Sequence, residues 1–328
     1  MMKLSTMLKV DSTVDAQWQS RIAERMLEHW EHEQGSARFF RSSTNFMYVF
    51  RKGGERYFLR FADSAERTGA TIEVEMALLC WLASQGMSVT TPIMSKNGRS
   101  VETVETDLGT FHAVVFAQLQ GSQVDFEELS TAQFETWGAT LGKLHSMMHR
   151  YQDPRLSARG TWRDHFTQAR IYLPKDEPEI QAECDYLSSW LAALPVTETN
   201  YGLIHGDFEL DNLFWQDETI AMLDFDECAY YWYVADVAFA LRDLFKTGVD
   251  LSQPSFRAFM RGYCEHHSLD EELIAHLPTF MRLVNLIMYA KMVRAMDLAQ
   301  DQDYPEWCTS LLLKLENRRQ NYKASLRS

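Results

Sequence analysis

No pair among the five cysteines, at positions 80, 184, 228, 264 and 308, has C-x-x-C spacing, and their number is odd. A disulfide framework or a clustered-thiol zinc site is therefore not expected, and the thiols read as reduced and buried in a cytoplasmic protein. No run approaches the ~18 uninterrupted apolar residues of a membrane span. Met1 to Val10 carries two lysines and no continuous apolar stretch, so no signal peptide is expected. Internal repeats and low-complexity segments are absent. Basic residues are the minority, 32 against 46 acidic ones, giving a formal charge of −14. That balance argues against nucleic acid or an anionic membrane as the main partner, and is compatible with a cationic substrate or a metal ion. What remains is ordinary globular usage, 46% hydrophobic and 24% charged. A chain of 328 residues suits roughly two domains of ~150 residues each.

Residues 14–34 read as a charge-rich helix, with Asp11, Ser12 and Thr13 as cap candidates. Three strands follow, at Ala37–Arg41, Asn45–Arg51 and Arg56–Ala62, the last two joined by a hairpin turn at Lys52-Gly53-Gly54-Glu55. Val74, Leu78, Trp81 and Leu82 then take helical spacing over 70–85, and Gly86 is a stop signal. Two more strands lie near 99–105 and 110–118. Gly121-Ser122-Gln123 is the candidate linker, dividing the chain into 1–120 (with helix 14–34) and 121–328. Beyond it, helices are predicted near 130–150, 178–193, 234–247, 254–267, 271–300 and 305–324. One β-rich island interrupts them, with strands at Tyr201–His205, Leu213–Trp215 and Thr219–Leu223. Its loops are the natural place for function.

The island also lacks positive charge. From Asp176 to Leu241 there is no Lys or Arg, while Asp207, Glu209, Asp211, Asp217, Glu218, Asp224, Asp226 and Glu227 crowd a short stretch. A solvated acidic face would give this pattern. Carboxylates on adjoining strand ends would also do so if a cation joined them, and hard oxygen ligands suit magnesium. Within the island stands His205-Gly206-Asp207-Phe208-Glu209-Leu210-Asp211-Asn212, followed by Met222-Leu223-Asp224-Phe225-Asp226. His-Gly-Asp, four residues and Asn, then a strand ending Leu-Asp-Phe-Asp, resembles the aminoglycoside phosphotransferase and choline kinase superfamily. Those are small-molecule relatives of the protein kinases, which carry His-Arg-Asp…Asn and Asp-Phe-Gly at the matching places. The resemblance runs from about Ser42 to about Leu241.

The resemblance implies a two-lobed protein-kinase-like α+β fold. A small antiparallel-sheet N-terminal lobe would cover the nucleotide, and a larger, mainly helical lobe would hold the catalytic loop and the acceptor. It implies phosphoryl transfer from ATP or GTP with Mg2+ to a hydroxyl, chemistry that rests on positioning and charge neutralisation. Asp207 would accept or orient the hydroxyl proton, and Asn212 and Asp224 would hold the magnesium. Gly206 permits a tight turn before the aspartate, and His205 reads as a brace for the loop. Asp236, an acid inside an apolar helical run, would tie its helix to that loop, since a buried acid requires hydrogen bonds. Ser43, Thr44 and Asn45 sit where kinases carry the phosphate loop, without a G-x-G-x-x-G. Arg60 stands where kinases have a phosphate-gripping lysine, a change that alters geometry but not charge. Phe58 and Arg60 share one strand face, so the charge wants a partner. Glu75 is the natural one, with Glu73 as rival. Backbone groups of Ala117 and Leu119 would meet the purine edge.

His145 and His149, at i and i+4, read as ordinary helix histidines, because no third ligand accompanies them. The pairs His29/His32 and His266/His267 read the same way. Tyr230-Tyr231-Trp232-Tyr233 reads as packing, although aromatics beside acids also hold amines. Glu209, Asp226 and Glu227 are the acids that would line a pocket for a cationic acceptor, and helices over 254–300 would form its walls. The acceptor classes left open are aminoglycosides, choline or ethanolamine, and amino alcohols such as homoserine. A non-catalytic nucleotide-binding scaffold and a stress-response-type protein serine/threonine kinase stay as alternatives.

Overall fold

The computed structural model describes residues 1–299 and 302–326. It divides into two compact units, Met1–Cys80 with Thr90–Gln118 and Lys291–Gln320, and Trp81–Val89 with Leu119–Ala290 and Asn321–Ser328. No described helix is long and apolar enough to cross a membrane.

The first unit opens with two short helices, α1 (Leu4–Asp11) and α2 (Arg21–Leu27), where the sequence predicts one helix over 14–34. Local side-chain chemistry explains the difference. Asp15 Oδ1 accepts the backbone N–H groups of Gln17 and Gln19, both at 2.9 Å, Trp18 turns left-handed at φ 62°, and Ser20 caps α2 from the far side. Such side-chain bonds offer the backbone an alternative to the helix ladder. The strands are β1 (Arg38–Ser42), β2 (Phe46–Lys52) and β3 (Glu55–Asp63), then, beyond α3 (Gly69–Ser84), β4 (Pro92–Ile93), β5 (Glu102–Thr106) and β6 (Gly109–Ala117). They form one antiparallel sheet in the order β1-β2-β3-β6-β4, with β5 also on β6. The β2–β3 turn is the expected one. Gly53 and Gly54 have φ 60° and 83°, the two positive angles a two-residue hairpin of this hand demands.

A single cut at 120 does not reproduce the two units. The stretch beginning at Lys291 belongs with the N-terminal residues because they share bonds. Arg294 donates to Glu66 and to Met1 O, Ser5 bonds Asp297, and Trp307 Nε1 donates to Asp11 Oδ2 at 2.9 Å. Conversely, Trp81–Val89 packs in the second unit, where Met222 N–H donates to Ser88 O at 2.9 Å and Trp81 lies against Tyr151.

The second unit contains α4 (Thr131–Met148), α5 (Trp162–Tyr172) and α6 (Pro178–Ala193), the antiparallel pairs β7 (Tyr201–Ile204) with β10 (Ala229–Trp232) and β8 (Leu213–Gln216) with β9 (Thr219–Met222), and α7 (Tyr233–Ala240), α8 (Pro254–Cys264), α9 (Glu271–Ala275) and the greater part of α10 (Leu277–Ala295), which passes into the first unit at Lys291. The long helix α11 (Glu306–Ser325) belongs to the first unit as far as Gln320. The helix predicted over 271–300 breaks at His276 because Pro278 has no N–H to continue α9 and fits the first turn of α10. The aromatic run at 230–233 is strand β10 and the first residue of α7, with Tyr231, Trp232 and Tyr233 buried.

Helices α4 and α8 touch backbone to backbone. A side-chain carbon at Gly138, Gly142 or Gly262 would collide with Phe259 O, Tyr263 O or Glu135 O respectively. Only glycine permits so close a crossing.

Candidate active site

The loop after β7 is set by a buried acid. All eight residues of α7 are buried, and Asp236 is fully so. Its carboxylate accepts the backbone N–H of His205 on Oδ2 and of Gly206 on Oδ1, both at 2.8 Å. His145 Nε2 adds a third bond to Oδ2 at 2.9 Å. Burial opposes the charged form, but the bond from His145 and the Gly206 N–H outweigh it and hold the Asp236 carboxyl below its ordinary range. Gly206 has φ 78°, and a Cβ there would meet Glu227 O at 2.6 Å. Gly206→Ala should therefore displace the loop. The expected result is a drop in kcat on the order of 100-fold, since an ångström-scale misplacement costs about that much; an unchanged kcat would show that the loop yields without consequence.

His205 braces the same loop from within. Nε2 donates to Leu223 O at 3.2 Å, and Nδ1 accepts the Asp207 N–H at 3.3 Å. Its ring lies against Phe208 and Phe225. This pattern requires the neutral ring, and complete burial depresses its pKa accordingly.

Asn212 ends a short 3-10 turn at Leu210–Asn212. Its Nδ2 donates to Asp207 O and to Asp207 Oδ2, both at 2.9 Å. That clamp fixes the Asp207 carboxylate and leaves the amide oxygen of Asn212 as the group able to take a cation. Leu223 N–H donates to Asn212 O at 3.0 Å, so Asp224 is one residue beyond the Asn212 backbone. Asp224 is left-handed at φ 62°. A neutral amide oxygen and a carboxylate are hard donors, a set that fits magnesium.

The predicted pocket acids have partners the sequence did not suggest. Glu209 Oε2 accepts from Arg242 at 2.6 Å. Burial raises the Glu209 carboxyl, the guanidinium pulls it down, and Asp207 pushes it up again. Asp226 and Glu227 are half-buried. The turn that carries them is held by Arg159, a buried guanidinium that donates to Cys228 O at 2.9 Å, Phe225 O at 2.7 Å and Asp226 O at 2.6 Å. Arg159 is the residue sequence reasoning missed, and for His145, read as an ordinary helix histidine, it missed the bond to Asp236. The legible signal was His145 lying beside the apolar stripe of Trp137, Leu141, Leu144 and Met148, where a polar group needs partners.

In the first unit, Ser43, Thr44 and Asn45 form the three-residue loop of the β1–β2 hairpin. Ser43 is exposed, Thr44 half-buried and Asn45 buried. Arg60 pairs with Glu75 in a fork, NH1 to Oε1 at 2.7 Å and NH2 to Oε2 at 2.9 Å, with side chains 8% and 0% exposed. Glu73 is exposed. Two parallel bonds need a guanidinium, which gives a reason for arginine at a lysine position. The strand register places Arg60 opposite Met47 and Val114, and Phe58 opposite Val49 and Phe116, on one face of the sheet. The guanidinium lies 5.2 Å from the Phe116 ring centre. Ala117 ends β6 and is exposed, and Leu119 begins the stretch counted with the second unit.

The fold is the two-lobed protein-kinase-like α+β class, as solved structures of that class align over nearly the whole chain. Within it the chain belongs to the phosphotransferase enzyme family, whose model matches residues 36–273. It is a small-molecule kinase, transferring phosphoryl to an alcohol group. Amicoumacin kinase of Bacillus subtilis (strain 168) is 28% identical over 271 residues, 80% of this chain and 81% of that protein. Homoserine kinase of Beijerinckia indica is 26% identical over 216 residues, 63% of this chain and 64% of that protein. Among solved structures, amicoumacin kinase hAmiN in complex with AMP-PNP, Ca2+ and Ami aligns with a TM-score of 0.78 at 23% identity, covering 96% of each chain. The microcompartment-associated aminopropanol kinase aligns with a TM-score of 0.71 at 24% identity, covering 93% of this chain and 98% of that one.

Proposed function

We propose that this kinase moves the γ-phosphoryl of ATP, or of GTP, to a hydroxyl of a small amine-bearing molecule, an amino alcohol or an antibiotic of that character. The observation that carries the reading is the clamp of Asn212 Nδ2 on both oxygens it reaches in Asp207. A carboxylate held in one orientation, beside an amide oxygen left for a cation, suits a base that takes or orients an alcohol proton. Asn212 and Asp224 would hold Mg2+, which when bound neutralises charge on the phosphates. The Asp236 bonds and the His205 brace keep the loop in place while the hydroxyl proton passes to Asp207. Arg60, fixed by Glu75, would bind phosphate, with the Ser43-Thr44-Asn45 loop beside it and the backbone of Ala117 and Leu119 toward the purine. Glu209, Asp226 and Glu227 would favour an ammonium group on the acceptor, as would the surplus of acids over bases.

The relatives' names support an amine-bearing acceptor by analogy, since amicoumacin kinase and aminopropanol kinase are among them. The test is ADP and GDP release with Mg2+ against amino alcohols, homoserine, choline, ethanolamine, aminoglycosides and amicoumacin. Release that depends on an amine-bearing acceptor and stops on chelation of divalent cations supports the reading. Release that is equal with non-amine alcohols overturns the amine requirement, and absence of nucleotide binding overturns the whole.

A further inference from the structure

Asp236 can only accept hydrogen bonds in its charged form, so His145 must donate to it from Nε2. The other ring nitrogen, Nδ1, lies 2.7 Å from the Tyr263 hydroxyl. The tyrosine hydroxyl can either donate to this nitrogen or accept from it, so it partners the ring whichever form the ring takes. Asp236 therefore fixes a proton on Nε2, and the phenol holds the ring in place from the opposite side at Nδ1. His145, Asp236 and Tyr263 are all fully buried, and burial keeps the Tyr263 phenol protonated far beyond its ordinary range. The ring of His145 also lies against those of Tyr233 and His267. Tyr263 is on α8, His145 on α4 and Asp236 on α7, and the distance between the first two helices is fixed by the glycine contacts at 138, 142 and 262.

We propose that Tyr263 is a positioning residue for the catalytic loop, acting through His145 and Asp236 on the backbone N–H groups of His205 and Gly206. The proposal deepens the reading of Asp207 given above and rests on it for its effect on turnover. It also gives the seam between α4 and α8 a function, because any shift of α8 moves the phenol off Nδ1, frees the imidazole to turn, and loosens the acid that holds the loop. Tyr263 lies in the stretch proposed to line the acceptor side, so the acceptor's own binding would bear on the same chain of bonds.

Two readouts on Tyr263→Phe in the full chain test this. The first needs no acceptor. Amide hydrogen exchange in the peptide spanning 203–213 should quicken by about 3- to 10-fold relative to the unchanged protein, the scale of one lost hydrogen bond. The second is steady-state turnover with whichever acceptor of the panel above supports ADP or GDP release, in which kcat should fall by a similar factor while the nucleotide KM stays constant. A loop whose exchange is unchanged, with faster exchange confined to α8, overturns the proposal whatever the turnover shows. An equal loss of stability with kcat unchanged also overturns it, since a purely structural phenol would do that. Asp207→Asn measured in parallel separates the two ideas. If it retains turnover, the reading of Asp207 fails, while the exchange result still decides the role of Tyr263.

Discussion

Asp207→Asn should reduce kcat by about 10²- to 10⁴-fold, the usual contribution of a positioned general base, while nucleotide affinity and melting temperature change little. The substitution is nearly isosteric. Asn212 Nδ2 can still donate to Asp207 O and to a side-chain oxygen at 207, as it does now at 2.9 Å. The backbone bonds from His205 and Gly206 to Asp236 do not involve the side chain at 207. What is lost is the carboxylate charge that takes or orients the hydroxyl proton. Because the Mg2+ ligands proposed are Asn212 and Asp224, nucleotide binding should survive within a few-fold. Initial rates at saturating nucleotide, together with a thermal shift on nucleotide addition, make the measurement. A variant that turns over at the original rate would remove Asp207 from the chemistry. A variant that no longer binds nucleotide would mean that the carboxylate serves the metal and not the hydroxyl.

The parts legible in the sequence were those whose signal is local. The turn at Lys52-Gly53-Gly54-Glu55 is one, because glycine adopts two positive φ angles in succession without steric cost. The helix containing Val74, Leu78 and Leu82 is another, and so is the spacing from His205 to Asn212. The β4 strand spans two residues and has no periodicity to read. The helix over 14–34 was overextended because charge and helix propensity do not register that Asp15 would bond its own neighbours. Helix α5 and strand β10 were also not predicted, and the other misses are long-range pairings. Arg159 reaches residues 66 to 69 positions away, and His145 meets Asp236 across 91 positions and Tyr263 across 118. No local pattern specifies such pairs. The acidic island also looked uncompensated because the run without Lys or Arg ends at Leu241, one residue before the Arg242 that pairs with Glu209.

Arg60→Met should destabilise the protein by about 3–5 kcal/mol, and Arg60→Met combined with Glu75→Leu should recover most of that loss without recovering nucleotide binding. The first expectation follows from burial. With Arg60 removed, the Glu75 carboxylate is left fully buried, with the Arg67 guanidinium at the longer distance of 3.8 Å. A broken buried pair costs far more than the pair itself contributes, because one charge is left desolvated without its partner. The second expectation follows from the same principle, since replacing both partners by apolar groups of similar volume is often neutral or better. The flanking side chains suit the change, as Phe116 already lies under the guanidinium and Met47 and Val114 are opposite it. If the pair exists to present a cation to the nucleotide phosphates, the double variant is a folded protein whose nucleotide KM is raised at least tenfold. Chemical denaturation and nucleotide titration on the three proteins separate the outcomes. A stable double variant with unaltered nucleotide KM would assign Arg60 and Glu75 to packing alone. Arg60→Lys gives the intermediate case: the charge persists, but one bond of the fork is lost, so the KM should rise with only a small loss of stability.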